Sequence, residues 1–161
     1  MSLDPRAFRK TLGCFPTGVT VVTTSAADGS PVGVTVSSFT SLSLDPPLVL
    51  FCLDHKSDWL GAFRQNSHFG VNVLRQEQRE LSIRFGSKIG ERWKGVPLDR
   101  GASGVPFLQG CLATLECAVT NIVAGGDHEI FIGQVEHLTH SEAGDPLVYF
   151  RGAYANLGFP V

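Results

Sequence analysis

Residues 18–39 read GVTVVTTSAADGSPVGVTVSSF, and this stretch decides the fold class. Two runs dense in valine and threonine, 19–25 and 31–39, flank an Asp28-Gly29 turn signal. β-Branched side chains suit a pleated, half-buried surface, and Asp-Gly supplies the positive φ of a tight hairpin turn. The stretch is therefore a hairpin, and its neighbours extend the pattern. SLSLDPP closes the segment at Asp45-Pro46-Pro47. Leu48–Leu53 (LVLFCL) is a short unbroken apolar run, expected as a strand buried on both faces. His68–Leu74, Leu112–Val123 and His128–His137 read as further strands, the last two joined by a Gly125-Gly126-Asp127 turn. Residues 147–157 (LVYFRGAYANL) form the last strand and its exit.

Helical signals are few and short. Asp4-Pro5 is an N-cap followed by a first-turn proline, opening a helix through Ala7, Phe8, Leu12 and Phe15. Ser57 is the expected N-cap of a second, carrying Trp59, Leu60 and Phe63 at helical spacing. Residues 76–85 make a third, ending at Gly86, and 86–104 read as an extended loop with at most one helical turn. About seven strands, joined mainly by hairpins, with two or three helices favour an antiparallel barrel with the helices outside. A doubly wound parallel sheet would need a helix after nearly every strand, and the last third has none.

Composition narrows the function classes. The 161 residues contain no repeat or low-complexity tract, and the expectation is one domain over 1–161. Charged residues are 17%, so part of the surface is expected to be covered in an oligomer. A net charge of −2 with no basic stripe argues against nucleic acid. No apolar run reaches the ~20 residues of a membrane helix, and the first residues lack the apolar core of a signal peptide. A cytoplasmic protein is expected. Cys14, Cys52, Cys111 and Cys117 form no CxxC pair and no zinc-site spacing, so no metal is expected and the cysteines read as small buried hydrophobes in a reducing compartment.

Four polar clusters could carry chemistry. Residues 35–41 place five hydroxyls at the end of a strong strand, with Thr35, Ser37 and Phe39 on one face. Such an end suits a neutral hydrogen-bonding ring or a phosphate, and equally a polar outer face running into a turn. Asp54–Asp58 follows a strand and opens a helix. Lys56, Ser57 and free backbone N–H groups suit an anion, although Ser57 also serves as a cap and Asp58 repels phosphate. Residues 125–129 need no role beyond a turn, but His128 can donate at a site mouth. Arg151 and Tyr154 suit a phosphate and a ring, or a local carboxylate and packing. There is no GxGxxG after a strand, no GxxxxGK[ST] and no GxSxG elbow.

Five separated motifs, 15–24 (FPTGVTVVTT), 33–57, 69–74 (FGVNVL), 126–135 (GDHEIFIGQV) and 147–154 (LVYFRGAY), together resemble the flavin reductase-like, FMN-binding split-barrel family. They are most similar to the short-chain reductase components of two-component flavin-dependent monooxygenases. The resemblance implies a homodimer of split barrels that binds FMN or FAD near the interface, takes hydride from NADH or NADPH, and supplies reduced flavin to a partner monooxygenase. It implies that Thr35, Ser37, Ser38, Phe39 and Thr40 line the isoalloxazine and ribityl chain. Asp54, Lys56 and Ser57 would meet the ribityl phosphate, and Phe85 and Gly86 would border the flavin. His128 would lie near the nicotinamide, and Arg151 and Tyr154 match a C-terminal RGxY-like motif. The family often has alanine after Phe85, where this chain has Gly86-Ser87. Hydride transfer needs the two rings stacked with reacting atoms roughly 3–3.5 Å apart, the cofactor carrying the chemistry. The alternatives are reduction of a corrinoid or ferric iron by a tightly held flavin, or flavin carriage without pyridine-nucleotide activity.

Overall fold

The computed structural model describes residues 3–88 and 90–158. Helix α1 (Pro5–Leu12) starts as expected, with the Asp4 carboxylate accepting from the Arg6 N–H at 3.1 Å. It ends before Phe15, and none of its residues is buried. After the two-residue strand β1 (Thr17–Gly18), β2 (Thr20–Ser25) and β3 (Pro31–Val36) form the expected hairpin, with Thr20 opposite Val36 and Ser25 opposite Pro31. Asp28 accepts from the Ser30 N–H and hydroxyl, and Gly29 takes φ +81°, which closes the turn.

Residues 40–44, expected to be part of the segment's close, are instead an edge strand, β4 (Thr40–Leu44). It pairs with β5 (Pro47–Asp54) across a bulge between Ser41 and Ser43. No β4 side chain is buried: Ser41–Leu44 alternates polar and apolar, but Leu42 and Leu44 stay exposed and the pattern lasts only two periods before Asp45-Pro46-Pro47. β5 also corrects an expectation. Val49, Phe51 and Leu53 are buried, whereas Leu48, Leu50 and Cys52 are half-buried, so only one face is sealed within a single chain.

Then follow α2 (Leu60–Gln65), β6 (His68–Val73), a 3-10 turn at Gln76–Gln78 and α3 (Arg79–Gly86). Ser57 stands two residues before the residue that caps α2, Trp59, and its Oγ accepts from the Trp59 N–H at 3.4 Å. The segment expected to be loop ends in a small hairpin, β7 (Leu98–Arg100) with β8 (Pro106–Leu108). The long strands β9 (Ala113–Gly125) and β10 (His128–His140) pair through the expected turn. The last strand is broken into two, β11 (Val148–Phe150) and β12 (Ala153–Ala155), because Arg151 (φ +49°) and Gly152 (φ +81°) fold it back on itself.

The seven-stranded antiparallel sheet has the order β3-β2-β6-β9-β10-β5-β4 and is of split-barrel type. β1, β11 and β12 make a separate small sheet. Ser38, just past β3, reaches across to β5: its hydroxyl donates to the Cys52 carbonyl at 3.1 Å and accepts from the Cys52 N–H at 2.9 Å. Inside, Phe51 stacks on Phe131 (5.0 Å, 8°) and meets Phe69 and Phe63 edge-on. Gly133 permits this packing, since a Cβ there would sit 2.5 Å from the Phe69 ring. Outside, α3 seats Phe85 in a second cluster with Val19, Val21, Leu74, Leu108 and Leu147. Among the described residues no helix is long and apolar enough to cross a membrane.

All four cysteines are free thiols, and Cys14 departs from the buried expectation by being exposed. Burial pushes the Cys117 thiol up to about 12 and the Cys111 thiol up to about 11. Thiolate is the reactive form, so brief iodoacetamide treatment of the native protein at mild alkaline pH is expected to alkylate Cys14 first. Cys111 and Cys117 should label only after denaturation. Peptide mass mapping checks this, and Cys117 labelling as fast as Cys14 would contradict it.

Candidate functional site

A cavity of about 440 Å³ opens where β3 ends, β5 turns into α2 and α3 stops. That volume lies within the range of small-molecule sites. Each wall follows from local sequence. The β3 exit contributes Thr35, Ser37 and Ser38. Two of these hydroxyls are already engaged: Thr35 donates to the Ser82 carbonyl of α3 at 2.8 Å, and Ser38 bridges to β5. Ser37 is exposed and makes no hydrogen bond through its side chain among the described residues. The hydroxyl run therefore braces the site as much as it furnishes it.

The second wall is the turn after β5. The Asp54 carboxylate accepts from the Lys56 N–H at 2.8 Å, and the Asp54 carbonyl accepts from the Ser57 N–H at 2.9 Å. The turn is pinned to the next hairpin by the His55 N–H donating to the Asp127 carbonyl at 2.9 Å. This holds Asp54, Lys56 and Ser57 against the cavity, with the Lys56 ammonium in no ion pair among the described residues. His128, opposite Asp54 on β10, lines the same cavity. Its Nδ1 lies 2.7 Å from Asp127 Oδ1, and this contact holds the Asp127 carboxyl below the usual range. That contact engages Nδ1, and Nε2 makes no hydrogen bond among the described residues.

The third wall is the end of α3. Phe85 is fully buried beneath it, edge-on to Trp93 at 4.8 Å. Gly33 lets them approach, since a Cβ there would fall 2.8 Å from the Phe85 ring. Gly86 is different: a Cβ would meet Thr35 at an ordinary 3.7 Å. An alanine therefore fits. Gly86→Ala is expected to raise stability by about 0.5–1 kcal/mol, the usual helix gain over glycine. Thermal denaturation reads this, and a lowered midpoint would refute it.

The remaining expected residues lie elsewhere in a single copy of the chain. Phe39 is half-buried against the inner core, and Thr40 belongs to edge strand β4, its hydroxyl donating to the Ser41 carbonyl. Tyr154 lines an adjoining cavity of about 360 Å³ that shares Thr35, Ser37 and Gly86, and its hydroxyl is bonded to Ser82 at 2.7 Å. Arg151 faces α1 across a groove lined by Arg6, Arg9 and Lys10. Tyr154 meets α3 through Ser82 and Arg79, and neither it nor Arg151 lines the main cavity. The cavity also contains residues that the sequence reading did not single out for the site: Trp59, Lys88, Arg92 and Cys52. Trp59 looked like a helix's apolar face, and Lys88 and Arg92 lie in a polar stretch without periodicity.

A family model, the flavin reductase like domain, matches residues 12–158. The chain belongs to the flavin reductase-like family. This domain is 41% identical over 156 residues to the reductase subunit HsaB of a flavin-dependent monooxygenase from Rhodococcus jostii, covering 97% of this chain and 80% of that protein. It is 42% identical over 151 residues to the FMN reductase (NADH) SmoA of Agrobacterium fabrum, covering 94% and 85%. The solved NADH:FAD oxidoreductase SgcE6 of Streptomyces globisporus, in complex with NAD and FAD fragments, superposes with a TM-score of 0.90 at 34% identity, covering 98% and 97%. For this flavin reductase-like domain, a cavity with apolar depth, the Ser37 hydroxyl and cations in no ion pair among the described residues is a fitting receptacle for an aromatic ring carrying a phosphate.

Proposed function

We propose that this chain is an NAD(P)H:flavin oxidoreductase that moves hydride from NADH or NADPH to FMN or FAD and hands the reduced flavin to a partner monooxygenase. The observation that carries the reading is the convergence of the β3 exit, the β5–α2 turn and the α3 end on one cavity, in a chain of this family. The flavin, when bound, supplies the redox chemistry, accepting hydride from the nicotinamide. The protein's residues bind and orient. Ser37 and the backbone beside it donate to the polar edge of the isoalloxazine, where negative charge develops on reduction. Val36 and Phe85 give that end an apolar floor. Lys56 and Ser57 take the phosphate. His128, its ring fixed by Asp127, offers Nε2 at the mouth to the nicotinamide.

The names of the relatives favour NADH and a monooxygenase partner. Residues 1–161 act as one domain. A homodimer is supported by apolar side chains that one chain leaves bare, Phe15 (77% exposed) and Leu44 (95%) above all. Four uncrosslinked thiols suit a cytoplasmic location. Oxidation of NADH and NADPH, followed at the nicotinamide absorbance band with FMN and FAD in parallel, is expected to proceed with turnover of free flavin. Reduced pyridine nucleotide left intact with either flavin would refute the assignment. Flavin retained through gel filtration, with no turnover of added flavin, would refute hand-over alone.

A further inference from the structure

Three cations line this cavity, and Arg92 is the one withdrawn from solvent, Lys56 and Lys88 being exposed. It is half-buried, yet it makes no ion pair among the described residues. Asp58 acts on it only at longer range, and burial pulls its pKa down. Its Nη1 donates to the Gly33 carbonyl at 3.0 Å and its Nη2 to the Ser87 carbonyl. Its Cζ lies over the Trp59 ring, 5.5 Å from the centroid. A guanidinium has five N–H donors, so three have no acceptor among the described residues. Buried charges are ordinarily paired, and a planar fork matches a phosphate. Trp59 is two residues past Ser57 and three past Lys56, so the stack sets Arg92 at the same end of the cavity as those residues. The next residue, Trp93, packs on Phe85 and anchors the segment from below.

We infer that Arg92 is a specificity-determining residue that pairs with the phosphate of the flavin's ribityl chain, its fork aimed by Trp59, Gly33 and Ser87. This rests on the flavin reading above. It predicts that this side chain, beside Lys56 and Ser57, supplies a measurable share of the enzyme's preference for FMN over riboflavin, which lacks the phosphate.

The test is the dissociation constant of FMN and of riboflavin for the full chain, measured by titration calorimetry. Charge-assisted hydrogen bonds of this kind correspond to about 10- to 100-fold in affinity. Arg92→Ala should reduce the preference for FMN over riboflavin by that factor and leave riboflavin's constant within about twofold. Arg92→Lys should keep part of the preference, as a point charge without the fork. Arg84→Ala is the structural control, because Arg84 holds the same segment through the Glu91 and Lys94 carbonyls without lining the cavity. It should keep the preference. Equal weakening of both ligands by Arg92→Ala, or loss of the preference in Arg84→Ala, overturns the inference in favour of a purely structural brace. So does a wild-type protein that binds both ligands equally well. A wild-type protein that binds neither overturns the flavin reading itself.

Discussion

Phe51→Ala is expected to cost about 3–5 kcal/mol, much of the stability of an ordinary domain. Phe51 has no exposure and touches three other rings: Phe131 beside it on β10, Phe69 on β6 and Phe63 on α2. Each of those rings is held by a different backbone element. Phe69 and Phe131 are fixed by strands of the sheet and Phe63 by α2, so the void persists, and the cost of a large-to-small change depends on how well its site can collapse. Phe51→Leu keeps most of the volume and should cost less than half as much. Urea denaturation of both variants provides the comparison. A loss below about 1.5 kcal/mol for the alanine variant would mean that the core repacks and that the ring cluster is not rigid. The same strand carries Cys52, Leu53 and Asp54 into the cavity wall, so weakened flavin binding should accompany the lost stability.

Asn72→Ala is the second large effect, about 2–4 kcal/mol, and it arises from hydrogen bonding instead of volume. Asn72 is fully buried on β6. Its amide donates to the Val21 carbonyl at 2.9 Å and to Thr23 Oγ1 at 3.3 Å, and its oxygen accepts from the Leu108 N–H at 2.8 Å. Thr23 in turn donates to the Pro106 carbonyl. This network fastens β8 to the outside of the main sheet. Truncation leaves a buried N–H and a buried carbonyl short of partners, and each carries its own desolvation penalty. Asn72→Leu fills the space but cannot restore the bonds, so it should fail to recover the loss. Amide exchange at Leu108 should accelerate in both variants. Unchanged exchange there would place the cost elsewhere.

Local patterning made much of this chain legible. The hairpin of 18–39, the paired runs around 125–128 and the capped start of α1 are each specified by neighbours in sequence: branched residues at period two, turn residues with the right φ, a carboxylate before a proline. Edge strand β4 and the small hairpin of β7 and β8 are too short for such a signal to decide them, the Ser-Leu alternation of 41–44 running for two periods only. β4 buries nothing, and β8 is three residues long and held by an asparagine more than thirty residues away. The break at Arg151 was also hidden, since an arginine in the left-handed region is not what a turn ordinarily selects.

The sequence by itself determined the antiparallel barrel and the polar segments that border the cavity, because backbone period, turn chemistry and strand-end hydroxyls are local properties. Tertiary structure alone decided which polar groups remain available. It engages the hydroxyls of Thr35 and Ser38 as braces, ties the Tyr154 hydroxyl to Ser82 of α3 and turns Arg151 toward α1. It also brings Arg92 from an aperiodic stretch over Trp59. The physical reason is that a donor's use depends on what lies within about 3 Å of it, and that is set by strands and helices packed together from distant parts of the chain.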